Sequence, residues 1–177
     1  SLYANSTKNL SVENFNNNNT VVLDATGNWW GSADPAVVST TIYGRKDSTF
    51  SPYVNFTGFL NAAGGTSAYT GTTLYQPIAA TATLPAGEYL LLGNIQVNSG
   101  VAWTLSPGVN IRSVPGGKIR VFGTMQASGS STQRVRFTSA QPYPAKKDWV
   151  GIEVLLNGTA NLNYARIEYA TNGVDYN

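Results

Sequence analysis

The sequence predicts an all-β fold with at most a short helical turn. Only 11% of its residues are charged, against about 25% in typical globular domains. Small polar residues take their place, whereas helices favour Ala, Leu, Glu, Lys and Arg. Short runs rich in β-branched and aromatic residues recur along the chain, separated by Gly, Pro and Asn. No apolar helical period joins these runs, so the pattern leaves a sandwich, a barrel and a solenoid open.

The strand signal recurs along most of the chain, and several runs alternate apolar with polar residues. The runs are residues 10–15, 21–23, 89–92, 109–112, 118–122, 135–138, 150–155 and 162–169. Alternation places every second side chain on one face of a strand. We therefore expect the core to contain Ile119, Val121, Val135, Phe137, Ile152, Val154, Ile167 and Tyr169.

Two stretches depart from the strand pattern. Residues 34–39 predict a helical turn, with Asp34 as the N-cap and Pro35 at the first helical position. Residues 61–85 are rich in Ala, Gly and Thr with little period, which predicts a linker or a loosely packed connection. The chain thus divides into strand-rich parts at 1–60 and 86–177.

The composition excludes several classes of function. There is no Cys and no His, which removes disulfides, Cys nucleophiles, His-based acid–base chemistry and the usual zinc sites. The net charge of +2 is spread thinly, so no nucleic-acid partner is expected. No run of about 18 apolar residues predicts a membrane span. We expect no cofactor and no ion requirement for folding.

Glycosylation signals point to an extracellular or cell-surface location. Asn-x-Ser/Thr triplets occur at Asn5, Asn9, Asn18, Asn55 and Asn157. No signal peptide is visible and the chain does not begin with Met. It therefore has the character of a mature, processed or excerpted segment.

Three phrases of the sequence resemble motifs of a known family. Residues 27–35 read Gly-Asn-Trp-Trp-Gly-Ser-Ala-Asp-Pro, residues 105–109 read Leu-Ser-Pro-Gly-Val, and residues 119–125 read Ile-Arg-Val-Phe-Gly-Thr-Met. They resemble the right-handed parallel β-helix repeat proteins of the pectate-lyase-like superfamily, in particular the cell-surface type. The first phrase is similar to a signature that often closes such helices, and the other two are similar to their opening rungs. The resemblance implies a right-handed parallel β-helix, with closing rungs at 1–60 and opening rungs at 86–177.

That order places a closing segment before an opening one, and it predicts that the two ends belong together. The strand at the end of the chain would be continued by the strand at its start. The expected interface residues are Leu10, Val12, Phe15, Ile167 and Tyr169. The pairing could join successive subunits in a head-to-tail filament, close one chain on itself, or reflect a window cut from a tandem array.

Candidate chemistry is sparse. Glu153 and Glu168 could align on adjacent rungs and act as a carboxylate pair or hold calcium; ion pairing with Arg120, Arg136 and Arg166 is the simpler expectation. Trp29 and Trp30 could offer a sugar platform or pack in the core. The sequence therefore predicts a self-assembling structural protein rather than an enzyme. A polysaccharide lyase or hydrolase, a glycan-binding module and a surface adhesin are the alternatives.

Overall fold

The computed structural model describes residues 1–5, 7–13 and 21–176. Within them the protein is all-β with one short helix, and every ladder between its named strands is parallel. The elements of the first sixty residues are β1 (Leu10–Ser11), β2 (Val22–Asp24), α1 (Pro35–Thr40), β3 (Ile42–Tyr43) and β4 (Tyr53–Asn55).

The remaining strands form three stacked parallel sheets. They are β5 (Thr72–Leu74), β6 (Ala82–Leu84), β7 (Gly87–Leu91), β8 (Asn94–Val97), β9 (Ala102–Leu105), β10 (Val109–Ser113), β11 (Lys118–Val121), β12 (Thr124–Ser128), β13 (Val135–Ser139), β14 (Gly151–Val154), β15 (Thr159–Asn163), β16 (Ala165–Ile167) and β17 (Val174–Tyr176).

From β6 onward, successive strands enter the three sheets in turn. The first sheet has the order β16-β13-β10-β7-β5, the second β17-β14-β11-β8, and the third β15-β12-β9-β6. We call three consecutive strands, one from each sheet, a rung. This arrangement is compatible with a parallel β-solenoid, and we call residues 72–176 the stack.

Inward side chains form columns through the stack. Ile119 lies between Ile95 and Ile152 in the second sheet, and Phe137 lies beside Ile111 in the first. All of these side chains are buried. Equivalent positions recur in each rung because parallel pairing aligns the alternating pattern of one strand with that of the next.

Six of the eight predicted core residues are buried, as expected: Ile119, Val121, Val135, Phe137, Ile152 and Val154. The prediction was wrong for Tyr169, which is half-buried. Its φ of 60° is left-handed and takes it out of the strand pattern. Ile167 is also only half-buried, because β16 has a neighbouring strand, β13, on one side alone.

The first sixty residues form a smaller unit, which we call the N-terminal unit. Its strands pair as β1-β3 and β2-β4. The predicted helical turn is confirmed as α1: Asp34 is the N-cap, and its Oδ1 accepts a 2.8 Å hydrogen bond from the Ala36 amide. Pro35 follows at the start of the helix, where its missing N–H costs nothing.

The stretch 61–85, predicted as a linker or loose connection, contains β5 and β6. β5 pairs with β7, β6 pairs with β9, and Ile78 makes an isolated parallel bridge to Val97. Residues 72–84 therefore form a short first rung. Their Ala- and Thr-rich sequence concealed it, because backbone pairing needs no apolar pattern when few of the side chains enter the core.

The N-terminal unit packs against the outer side of the first sheet. Leu90 lies between the inward-facing Tyr89 and Leu91, so alternation points it outward, yet it is fully buried. It belongs to a hydrophobic cluster with Trp30 and Phe56 of the N-terminal unit. The side-chain amide of Asn94 also donates a 2.9 Å hydrogen bond, from Nδ2 to the backbone carbonyl oxygen of Arg45. The unit thus lies beside the stack.

Candidate assembly interface

The last rung of the stack has a partner on one side only. In the described part of the chain, β15 pairs with β12, β16 with β13 and β17 with β14, and each lies at the edge of its sheet. In a parallel strand, alternate backbone amides point to opposite neighbours. The outer amides and carbonyls of three strands therefore face outward together. Such edges can template the pairing of a further strand.

The same end exposes part of the core. Leu162, Ala165, Ile167 and Val174 pack on the buried cluster from above but are only partly buried. By contrast, Ile119 two rungs below is 0% exposed. A further rung would cover this apolar layer, since each rung covers the one beneath it.

Large apolar side chains surround this end. Tyr164 lies between β15 and β16 and is 55% exposed, while Tyr176 at the end of β17 is 69% exposed. Leu156, in the turn before β15, is 81% exposed. Exposed apolar groups grouped beside open strand edges are typical of an interaction surface.

The N-terminal unit carries a strand edge of the complementary kind. The amides of Leu10 and Val12 donate to Thr41 and Tyr43 on the β3 side, at 3.3 and 3.2 Å. The intervening Ser11 amide therefore points away from β3. Leu10 and Val12 are both half-buried. The predicted interface residue Phe15 lies outside the described residues, as does the sequon residue Asn18.

The predicted interface residues fall into two separate places. Leu10 packs with the cluster of the N-terminal unit, whereas Ile167 packs on the core of the stack. Among the described residues, β1 pairs with β3 and β16 pairs with β13, and no ladder joins β1 to β16. The described part of the chain therefore does not show the fold-back pairing that was one of the three alternatives.

The described sequon residues differ in their exposure and in the hydrogen bonds of their side-chain amides. Asn9 Nδ2 donates to the Trp30 carbonyl oxygen at 3.1 Å, and Asn55 Oδ1 accepts from the Thr57 amide at 3.0 Å. Asn5 is exposed, and its Nδ2 lies 3.3 Å from Asn9 Oδ1. Asn157 is exposed in a turn with φ 68°.

The expected alignment of Glu153 with Glu168 is wrong. Glu153 lies on β14 of the second sheet, where its register partner is Asp175 of β17. Glu168 instead follows β16 of the first sheet. A full turn of the stack from Glu153 to its partner Asp175 takes 22 residues (175 − 153), so the 15 residues from Glu153 to Glu168 (168 − 153) do not complete a turn.

Both glutamates make ion pairs with basic side chains, as the simpler reading expected. Glu153 Oε1 lies 2.7 Å from Lys118 Nζ, and its Oε2 lies 3.3 Å from Arg120 Nε. Glu168 bridges Arg136 and Arg166 at 2.6 Å each. Among residues 1–5, 7–13 and 21–176, no cluster of three or more Asp or Glu side chains could hold a metal ion.

The tryptophans are mainly structural. Trp30, Trp103 and Trp149 are 2%, 1% and 1% exposed. Trp29 is half-buried, and its carbonyl oxygen accepts a 2.7 Å hydrogen bond from the Leu2 amide. Trp29 and Trp30 therefore do not form a shared exposed platform.

No family model matches the chain, and no curated protein or solved structure is significantly similar to it. In the described part of the chain, no helix has the length and apolar character needed to cross a membrane.

Proposed function

We propose that this chain is an extracellular structural module, a right-handed parallel β-helix that assembles head-to-tail. The last rung of one unit would be continued by the N-terminal unit of another copy, or of the next repeat in a tandem array. One observation carries the proposal. The stack has an open apolar end with three free strand edges, while the strands able to extend it lie at its side.

The energetics favour extension of this end. Burying an aliphatic side chain fully contributes about 1.5–3 kcal/mol relative to exposure. Leu162, Ile167 and Val174 are only partly buried, so a further rung would bury the rest of their apolar surface. New parallel ladders would satisfy the outward amides and carbonyls. Association costs roughly 4–15 kcal/mol in lost freedom, so a single junction should be concentration-dependent and an array should be stabilised by repetition.

General connection rules support the right-handed sense of the proposed helix. Crossovers between parallel strands of one sheet are right-handed in about 98% of cases. Each sheet here is built by returning to it after the chain has visited the other two. The motif resemblance at residues 27–35 and 105–125 favours the same hand.

A catalytic role is less well supported than a structural one. A carboxylate pair for acid–base work needs groups whose environments separate their pKa values. Glu153 instead lies between Lys118 and Arg120, and Glu168 lies between Arg136 and Arg166. These contacts favour reading the glutamates as ladder-stabilising charges on the outer faces of the sheets.

Cysteine cross-linking tests the head-to-tail junction. The chain has no Cys, so the double variant Val12→Cys/Ile167→Cys contains only the introduced pair. Disulfides form when Cβ atoms come within about 3.5–4.5 Å. We expect a ladder of covalent oligomers on non-reducing gels after mild oxidation.

The matched control is Val12→Cys/Tyr143→Cys, because Tyr143 is 91% exposed but lies in the connection between β13 and β14. It should give far fewer oligomers. An intramolecular disulfide in the first variant would favour the fold-back arrangement. Equal cross-linking in both variants, or none in either, would contradict a specific junction.

A further inference from the structure

The outer face of the first sheet carries a polar patch that assembly does not use. Alternation with the inward Ile111 points Asn110 and Arg112 outward on β10. Their register partners on β13 are Arg136 and Thr138, respectively. We call these four residues the Asn110–Thr138 patch.

Among the residues that the structure describes, no hydrogen-bond partner is found for three buried polar atoms of this patch: Asn110 Oδ1, Arg112 Nε and Thr138 Oγ1. Thr138 is only 4% exposed. Buried polar groups are normally paired, and an unpaired one costs about 1–3 kcal/mol. The patch therefore offers an acceptor, a charged donor and a hydroxyl that a polar ligand would pair.

The orientation of the Asn110 amide is determined by its surroundings. Asn110 Nδ2 lies 2.9 and 2.8 Å from the two carboxylate oxygens of Glu88, on the neighbouring β7. A flipped amide would set its oxygen against that carboxylate. Asn110 Oδ1 is therefore the unpaired atom, and it requires a ligand that donates a proton.

Arg112 requires a ligand that accepts a hydrogen bond. Its Nε lies 3.9 Å from Glu88 Oε2, which is too long for a hydrogen bond. The nearby Arg136 is already held by Glu168 at 2.6 Å. Arg112 thus has an unsatisfied charged donor. Its side chain is 40% exposed, so the guanidinium can rotate to admit a small ligand.

We propose that the Asn110–Thr138 patch binds a phosphate group that retains one proton. An ionised phosphate oxygen accepts from Arg112, the P–OH group donates to Asn110 Oδ1, and the Thr138 hydroxyl bonds to a further oxygen. Arg suits phosphate because its planar guanidinium matches the oxygen geometry. Inorganic phosphate and a phosphomonoester share this chemistry. Sulfate has a similar shape and charge but carries no proton at neutral pH.

The pH dependence separates this recognition from simple charge attraction. The second phosphate proton is lost near pH 6–7. The chain has no His, the side chain that ordinarily changes charge in this range. The charged groups around the patch are Glu88, Glu168, Arg112, Arg136 and Arg166. A phosphomonoester loses its last proton in this range, so its proton-dependent recognition weakens from pH 6 to pH 8. Inorganic phosphate keeps one proton as the dianion and should not weaken in this way, whereas attraction to arginine alone would strengthen for both.

The test is an NMR titration of the intact protein with inorganic phosphate, glycerol phosphate and sulfate at equal ionic strength. We expect saturable shifts at Asn110, Arg112 and Thr138, with a Kd of about 1–10 mM for phosphate at pH 6. Sulfate should bind at least about threefold more weakly, because Asn110 Oδ1 would face an oxygen without a proton. Tighter binding of glycerol phosphate would identify an ester as the preferred form, and tighter binding of phosphate the free ion.

Two variants should change affinity in opposite directions. Arg112→Gln removes the charged donor and should weaken phosphate binding by about tenfold or more. Glu88→Gln removes the competing negative charge but keeps an oxygen for Asn110 Nδ2, so it should tighten binding. A merely structural role for Glu88 would not produce that gain.

The control is Arg134→Gln, which removes an exposed arginine outside the patch and should leave the affinity unchanged. The proposal is overturned if no saturable shifts appear, or if sulfate and phosphate bind equally. It is also overturned if Arg134→Gln weakens binding as much as Arg112→Gln, which would indicate diffuse attraction.

Discussion

The indole nitrogen of Trp149 donates a 2.8 Å hydrogen bond to the carbonyl oxygen of Glu168, which joins the residues before β14 to the residues after β16. Trp149 itself is 1% exposed, and its backbone makes a parallel bridge to Ala170. The side chain therefore holds the start of the segment that leads into β17.

Replacing Trp149 by Phe should loosen the last rung selectively. The change leaves the Glu168 carbonyl oxygen unpaired and should lower the free energy of unfolding by about 1–3 kcal/mol. Hydrogen exchange should accelerate in residues 165–176. Trp103→Phe is the matched control, since Trp103 is equally buried but packs within the third sheet. Similar acceleration of residues 165–176 in both variants would argue against a specific role for Trp149.

Truncation of two isoleucines at different depths in the stack should show that the stack has an open end. Ile119→Ala should cost about 2–5 kcal/mol, because the cavity lies in a closed interior. Ile167→Ala should cost less than half as much, because Ile167 is already half-exposed. Urea unfolding at low protein concentration measures both. Equal losses would mean that another element covers the last rung in solution.

A glycine at the turn into the third sheet should tolerate no side chain. A Cβ on Gly158 would lie 2.1 Å from the Val121 carbonyl oxygen of the rung below. Gly158→Ala must therefore separate two rungs, and we expect a loss of about 1–3 kcal/mol or more. The control is Gly173→Ala, where a Cβ would meet no atom within 4 Å. The measurement is the thermal unfolding midpoint of each variant. Equal midpoints for the two variants would contradict the close approach of Gly158 to the Val121 carbonyl oxygen.

Alkaline pH should destabilise the protein partly through Tyr53. Burial raises the pKa of the Tyr53 phenol above its usual 10.0, against the opposing influence of the Arg45 and Arg120 guanidinium groups. The folded state thus keeps this proton at a pH where the unfolded chain has lost it, so stability falls as the pH rises past about 10.

Tyr53→Phe should reduce the loss of stability between pH 8 and pH 10.5, measured by urea unfolding. Tyr143→Phe should not change it, because Tyr143 is 91% exposed. Part of the decrease in unfolding free energy with rising pH should remain in Tyr53→Phe, since burial also raises the pKa of Tyr89. An unchanged slope in Tyr53→Phe would show that Tyr53 does not contribute.

Local patterns predicted the elements whose structure depends on near neighbours. The period of two placed Ile119 and Val121 inward, because a strand alternates its side chains whatever it pairs with. Asp34 and Pro35 marked the start of α1, because capping involves only the next few residues. The candidate interface was predicted less completely. Ile167 lies at the open end, but Tyr169 leaves the strand, and no period reveals a left-handed φ at a tyrosine.

By itself, the sequence determined the all-β class, the short helix and the inward faces of the central rungs. Only the tertiary structure decided that the N-terminal unit lies beside the stack, that Leu90 is buried on an outward face, and that Glu153 meets Asp175 rather than Glu168. The physical reason is that periodicity is read within one strand. Contacts between rungs depend on connections of unequal length, and these set which distant residues come into register.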